Sequence, residues 1–243
     1  MKVKIRIVAS VCFIALLAGW IGLFISFRNS SFVLFPNSVF EIYPLTDAVS
    51  GGFSTSDISV KENSITAGVN IRSGMAYPYA GIGFNLMSIN GRPAPSFFDF
   101  SNYDSIAIEA SASRMRNLSL RVLTNDPVFS RQGEYLSYRH LTLQVPVSSS
   151  MSVVKLALSD FKVPEWWLVG NGLDHDDGFT YWNRGVFFEI ANGEGVLRGI
   201  PDEFEVKSVK FYGINRGFVN AMYVALAFLI VIFLMVIAVS KKK

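Results

Sequence analysis

Of 243 residues only one is cysteine, Cys12, and only two are histidine, His140 and His175. A disulfide within the chain is thereby excluded, and a zinc site built on thiolate and imidazole has almost nothing to draw on. Charge is scarce as well. Asp, Glu, Lys and Arg make up 17% of the residues against 51% hydrophobic ones, too apolar a balance for an ordinary soluble chain of this length. A G-x-S-x-G elbow, a P-loop, an H-E-x-x-H pair and a dinucleotide fingerprint are all missing. The sequence therefore offers no positive sign of hydrolase, nucleotide or zinc-protease chemistry, and the expectation is a non-enzyme without a cofactor.

The apolar excess is concentrated at the two ends. Residues 7–26 and 218–240 carry no charge, and about 20 apolar residues in a helix rise roughly 30 Å, the thickness of a bilayer's hydrocarbon core. Both are read as transmembrane helices. The basic start, Lys2, Lys4 and Arg6, also fits a signal peptide, but the apolar run is long and no small-residue cleavage motif follows it. Basic residues also close the second run, at Lys241, Lys242 and Lys243. By the positive-inside rule, 1–6 and 241–243 are cytoplasmic tails, and 29–216 forms a periplasmic or extracellular domain on the cytoplasmic (inner) membrane.

All 19 acidic residues lie within 29–216 against 15 of the 22 basic ones, so that segment carries −4 and the ends with Arg28 carry +7. An acidic outer domain has no electrostatic motive for binding nucleic acid. The terminal lysines suit anionic lipid head groups instead.

Within the middle segment, hydrophobic alternation at period two dominates. Ile58 and Val60, then Ile65, Ala67, Val69 and Ile71, flank a corner at Glu62-Asn63 and read as a hairpin. Further strands are expected at 77–86, 105–110, 118–124, 138–145, 153–158, 185–191 and 206–212. Along the first of these, Ala80, Ile82, Phe84 and Leu86 face a core, while Tyr79, Gly81, Gly83 and Asn85 form an open face. Residues 27–44, rich in aromatics, are expected to pack on the domain or near the membrane interface, and 164–184 to form a long loop holding three of the four tryptophans. With turn residues at the breaks and no helical period between, the expected fold is all-β. It is an antiparallel β-sandwich, a jelly roll, between two transmembrane helices.

Four landmarks in order carry a family resemblance: Gly51-Gly52-Phe53-Ser54-Thr55-Ser56, Tyr79-Ala80-Gly81-Ile82-Gly83-Phe84, Asp99-Phe100-Ser101-Asn102-Tyr103-Asp104-Ser105-Ile106, and Val154-Lys155-Leu156-Ala157-Leu158-Ser159-Asp160-Phe161. In these the domain resembles the galactose-binding-like jelly rolls of the complex I intermediate-associated (CIA) type and the family eleven carbohydrate-binding modules. The resemblance implies a sandwich whose concave face binds a glycan or contacts a partner protein, without catalysis. It leaves two readings, a membrane-anchored binding or sensory module and an assembly or scaffold subunit contacting another membrane or envelope protein.

Sugars offer C–H faces that stack on aromatic rings and hydroxyls that need planar polar partners. On that chemistry the candidate ligand-binding residues are Tyr79, Arg121, Tyr138, His140, Trp166, Trp167, Tyr181 and Trp182. An acidic loop, Asp174-His175-Asp176-Asp177-Gly178, suggests calcium by composition. It lacks the alternating ligands and distant Glu of an EF-hand, so a solvated loop is favoured and no metal is expected.

Overall fold

The computed structural model describes residues 2–174 and 178–242. The chain divides into two compact units, one of residues 1–30 with 213–243 and one of residues 31–212.

The first unit is a pair of helices, α1 (Lys2–Phe27) and α3 (Arg216–Lys242). Both are long and apolar enough to cross a membrane, which is consistent with a membrane anchor. Their aromatic contacts pair Phe27 with Phe218, Phe24 with Tyr223 and Phe13 with Phe233, so the helices run antiparallel. The Trp20 indole Nε1 donates to the Met222 carbonyl at 2.8 Å. Away from this seam the apolar side chains stay exposed, Leu16, Leu23, Phe228 and Leu234 among them.

The second unit is a sandwich of two antiparallel sheets. One sheet runs β10 (Ser152–Ala157), β7 (Ser105–Ala112), β12 (Asp202–Ile214), β4 (Ile65–Asn70) and β3 (Thr55–Val60), with β1 (Asn29–Phe35) also on β12. The other runs β2 (Phe40–Thr46), β5 (Ala80–Ile89), β11 (Gly185–Asn192), β8 (Asn117–Thr124) and β9 (Arg139–Pro146), with the short β6 (Arg92–Pro93) beside β5. Alternation decides which residues face the core. Ile65, Ala67 and Val69 of β4, Ile82, Phe84 and Leu86 of β5, Leu118, Leu120 and Val122 of β8, and Phe188 and Ile190 of β11 all join one buried cluster.

Where alternation slips, a bulge restores it. In β12 the register shifts between Val206 and Ser208, so Phe204 and Val206 before it and Val209 and Phe211 after it share the core face. The expected hairpin is present, with Val60 opposite Ile65 and the Lys61 amide donating to Ser64.

The paired glycines have separate tasks. Gly51 takes φ +80° at the end of a short 3-10 helix, Asp47–Ser50. Gly52 presses on the carboxylate of Asp47, where any side chain would collide with it. Asp47 is fully buried and accepts from both the amide (2.9 Å) and the hydroxyl (2.8 Å) of Ser54.

Two expectations about the chain path are corrected. Residues 27–44 do not merely pack alongside the domain. They supply β1 and the start of β2, one strand to each sheet, because Phe32, Leu34, Phe35 and Phe40 alternate into the core. Within 164–184 a short helix forms, α2 (Glu165–Gly170), followed by a 3-10 turn at Trp182–Arg184. A six-residue helix is too brief to show a 3.6-residue period in sequence. Residues 175–177 of the acidic loop lie outside the described residues.

Candidate functional site

The site lies on the outer face of the sheet β2-β5-β11-β8-β9, and strand register explains its shape. Three rows of cross-strand neighbours run over that face. One is Glu41-Asn85-Phe187-Leu123-His140, the next Tyr43-Gly83-Glu189-Arg121-Thr142, and the third Leu45-Gly81-Ala191-Ser119-Gln144. In the third row Gly81, Ala191 and Ser119 are successive small residues, and of these Ser119 lines the cleft. A cleft of about 640 Å³ opens over Ser119, Arg121, His140, Thr142 and Gln144. The segment Met75–Tyr79 and residues 192–198 wall one end, and Leu136, Pro164 and Trp166 wall the other.

The middle row carries the electrostatics. Gly83 leaves no side chain between Tyr43 and Glu189, and the Tyr43 ring lies directly over it. The Tyr43 hydroxyl donates to Glu189 Oε1 at 3.1 Å, and the Tyr135 hydroxyl reaches both carboxylate oxygens at 2.8 Å. Tyr135 arrives on a 3-10 turn, Tyr135–Ser137, that folds back over the sheet. Glu189 is fully buried, and burial pushes its carboxyl pKa up against the pull of Arg121 and the two phenols. Burial, with Glu189 alongside, likewise raises the Tyr43 and Tyr135 hydroxyls.

The face at Tyr79, Gly81, Gly83 and Asn85 is therefore not open as expected. Tyr43 covers Gly83, and Gly81 abuts the Ile190 carbonyl and Ala191 so closely that a Cβ would overlap them. Absent side chains read in sequence as vacancy, but here they are filled from the neighbouring strands.

Four of the eight candidate residues line the cleft: Tyr79, Arg121, His140 and Trp166. The Arg121 guanidinium sits over the Tyr79 ring, 4.4 Å from its centroid. His140 is 3% exposed, and its ring meets those of Trp166 at 4.9 Å and Tyr135 at 5.5 Å. Burial, then the charge on Arg121, holds the His140 pKa down at about 3, so the imidazole is neutral at pH 7. Its Nε2 is buried without a hydrogen-bond partner among the described residues. Trp166 is 40% exposed and offers a ring face.

The other four are not brought to the cleft. Trp167 is 1% exposed, packed against Phe129 and under the Arg139 guanidinium. Trp182 rests on Phe100 and Phe161 of the main core. Tyr138 shares the outer face but is buried with Leu123 and Val186. Tyr181 holds a left-handed backbone at φ 45° beside Phe179 and Arg139. Adjacent Trp166 and Trp167 point to opposite environments because a helix turns about 100° per residue.

Sequence reasoning missed Tyr77, Gln144, Asn192, Glu194 and Arg198 of the lining, and the hydrogen-bonded pair Glu189 and Tyr135 next to Arg121. Glu189 carried a usable signal, a single carboxylate inside the apolar strand Val186-Phe187-Phe188-Glu189-Ile190-Ala191. Asn192 is a structural clamp, accepting from the Ala80 amide (2.9 Å) and donating to the Pro78 carbonyl (3.4 Å). Gln144 Oε1 accepts from the Glu194 amide at 3.2 Å and so ties the same wall to the floor.

No family model matches the chain, and no curated protein matches it. Among solved structures, a family 11 carbohydrate-binding module from Clostridium thermocellum, in complex with a β-1,3-1,4-mixed-linked tetrasaccharide, superposes with a TM-score of 0.50 at 12% identity. The match covers 77% of this chain and 96% of that one. The sandwich has the fold of a family 11 module. Two weaker likenesses are a family 11 module of the cellulase Lic26A-Cel5E of the same organism (TM-score 0.49, 12% identity, 76% and 94% covered) and a family 30 carbohydrate-binding module (0.45, 12%, 75% and 98%). No CIA-type domain is among the three. At this identity the likeness speaks for the fold alone.

Proposed function

We propose that the sandwich is a non-catalytic glycan-binding module held at a membrane by α1 and α3, with the basic chain ends on the cytoplasmic side and the sandwich outside. The observation that carries this reading is the cleft itself. It joins an exposed indole at Trp166 and the Tyr79–Arg121 stack to a floor of Thr142, Gln144 and the unpartnered His140 Nε2. Rings for C–H faces beside planar polar groups for hydroxyls are what a saccharide needs. The tetrasaccharide held by the family 11 module supports the reading by analogy.

A scaffold subunit would be expected to show a flat apolar patch in this position. The concave shape and polar floor favour a ligand instead.

The test is a glycan array probed with the full-length chain in detergent. Trp166→Ala is expected to abolish retention while changing stability by about 1 kcal/mol, because the side chain is already 40% exposed. Trp167→Ala, at a site 1% exposed, is expected to cost about 3–5 kcal/mol. An array without retained glycans, or binding indifferent to Trp166, overturns the proposal.

A further inference from the structure

The cleft holds a cation whose charge nothing nearby fully answers. Arg121 is half-buried on the floor, and among the described residues no carboxylate lies within 4.0 Å of its guanidinium. Its cross-strand neighbour Glu189 is the obvious counter-ion, yet both oxygens of that carboxylate are taken by the Tyr43 and Tyr135 hydroxyls. Burial also biases Glu189 toward its neutral form despite Arg121. The cleft's own carboxylate, Glu194, stands exposed on the wall together with a second cation, Arg198. Arg198 is held toward that wall by a bond from Nη2 to the Ala76 carbonyl at 3.3 Å.

A guanidinium presents a planar fork that matches a carboxylate with two parallel N–H···O bonds, and partial desolvation strengthens the pair. Tyr79 supports the fork from one side, 4.4 Å below it, which fixes its plane. Beside it the buried His140 Nε2 waits for a polar partner that the protein does not provide. Trp166, 4.9 Å from His140, supplies the apolar face a pyranose ring requires. Carboxylate, hydroxyl and C–H face occur together on an acidic sugar, of which a uronic acid residue is the simplest.

Resting on the glycan-binding reading, we propose that the cleft selects acidic saccharides, with a uronate carboxylate on Arg121, a neighbouring hydroxyl on His140 Nε2 and the ring against Trp166. The acidity of the outer domain as a whole does not oppose this at contact range. Charges farther than about 8 Å are largely screened at physiological salt, whereas a pair inside the cleft is not.

The experiment is calorimetric titration of the full-length chain in detergent with matched tetrasaccharide pairs. Each pair is a galacturonan, glucuronan or mannuronan oligomer and its carboxyl-reduced neutral counterpart. At least one acidic member is expected to bind tenfold or more tighter than its neutral twin, the scale of one hydrogen-bonded charge pair. Arg121→Gln is expected to erase that preference, so that acidic and neutral members of a pair bind with the same affinity. Arg198→Gln, at an exposed wall position, should reduce the preference without disturbing the floor. Neutral members binding as tightly as acidic ones overturns the selectivity and leaves glycan binding standing. A panel in which no oligomer binds also overturns the selectivity, and the glycan array then decides whether glycan binding stands.

Discussion

Replacing Gly83 by alanine tests whether the buried Glu189 cluster shapes the site. A Cβ at this position would lie 2.1 Å from Cζ of Tyr43 and under 2.7 Å from both Cε atoms, so the whole ring must move. Gly83 needs no positive φ, so the cost is steric and not conformational. Overpacking of this kind costs about 1–3 kcal/mol. Displacing the ring also breaks the 3.1 Å bond to Glu189, worth about 1–3 kcal/mol in a buried acidic site. Together these predict a loss of about 2–6 kcal/mol. In a domain of this size that lowers Tm by roughly 4–24 °C, readable by near-ultraviolet circular dichroism of the full chain. Tyr43→Ala alone is expected to cost about 3–5 kcal/mol, but in that background Gly83→Ala should cost less than about 1 kcal/mol, because the obstructing ring has gone. Strictly additive losses in the double-mutant cycle refute the argument that Gly83 exists to admit Tyr43.

The buried pair Asp126–Arg139, at 2.8 Å with both side chains covered, gives a second expectation. Arg139→Met strands the carboxylate and should cost about 3–5 kcal/mol, while Asp126→Leu/Arg139→Met recovers a large part of it in urea unfolding. The third expectation is a pH dependence of opposite sign from two groups. With the folded pKa of His140 near 3 against the ordinary 6.5, the unfolded chain binds a proton that the fold refuses. Stability therefore falls as pH drops below about 6.5, by up to about 1.4 kcal/mol per pH unit. Glu189, pushed up, retains in the fold a proton that the unfolded chain has released, so its contribution weakens as pH rises above 4.5. Between 4.5 and 6.5 the two slopes oppose. His140→Gln should therefore make the acid side more stable relative to neutral pH, and Glu189→Gln the neutral side, in Tm measured from pH 4.5 to 7. Unchanged profiles in both variants contradict the buried placement of these groups.

The two-sheet sandwich was legible because its strands obey a local rule. A residue such as Ile82, Phe84 or Leu120 must face inward if its neighbours at two-residue spacing do, and the pattern needs no knowledge of partners. Even the strand ends agree closely, as with 105–110 against Ser105–Ala112 and 118–124 against Asn117–Thr124. The strands within 27–44 were not recognised because turn residues break their alternation and the flanking aromatics looked like interfacial packing. The outer face was harder still. Tyr79, Arg121 and His140 come from separate strands, and only register places them around one hollow.

The glycine pair at 51–52 shows both sides of that division. That the chain turns there follows from composition, since glycine alone accepts φ +80° and contact with Asp47 without cost. That Asp47 is the group it makes room for depends on the fold. The same holds for Gly81 and Gly83, whose missing side chains promised an open face in sequence and are filled by Ile190, Ala191 and Tyr43 in space. Local propensity and periodicity thus determined the strands, the apolar ends and the inward set of residues. Which outward residues meet, which are covered and where a cleft remains is a property of strand order and register, and these are long-range choices that no short window of sequence contains.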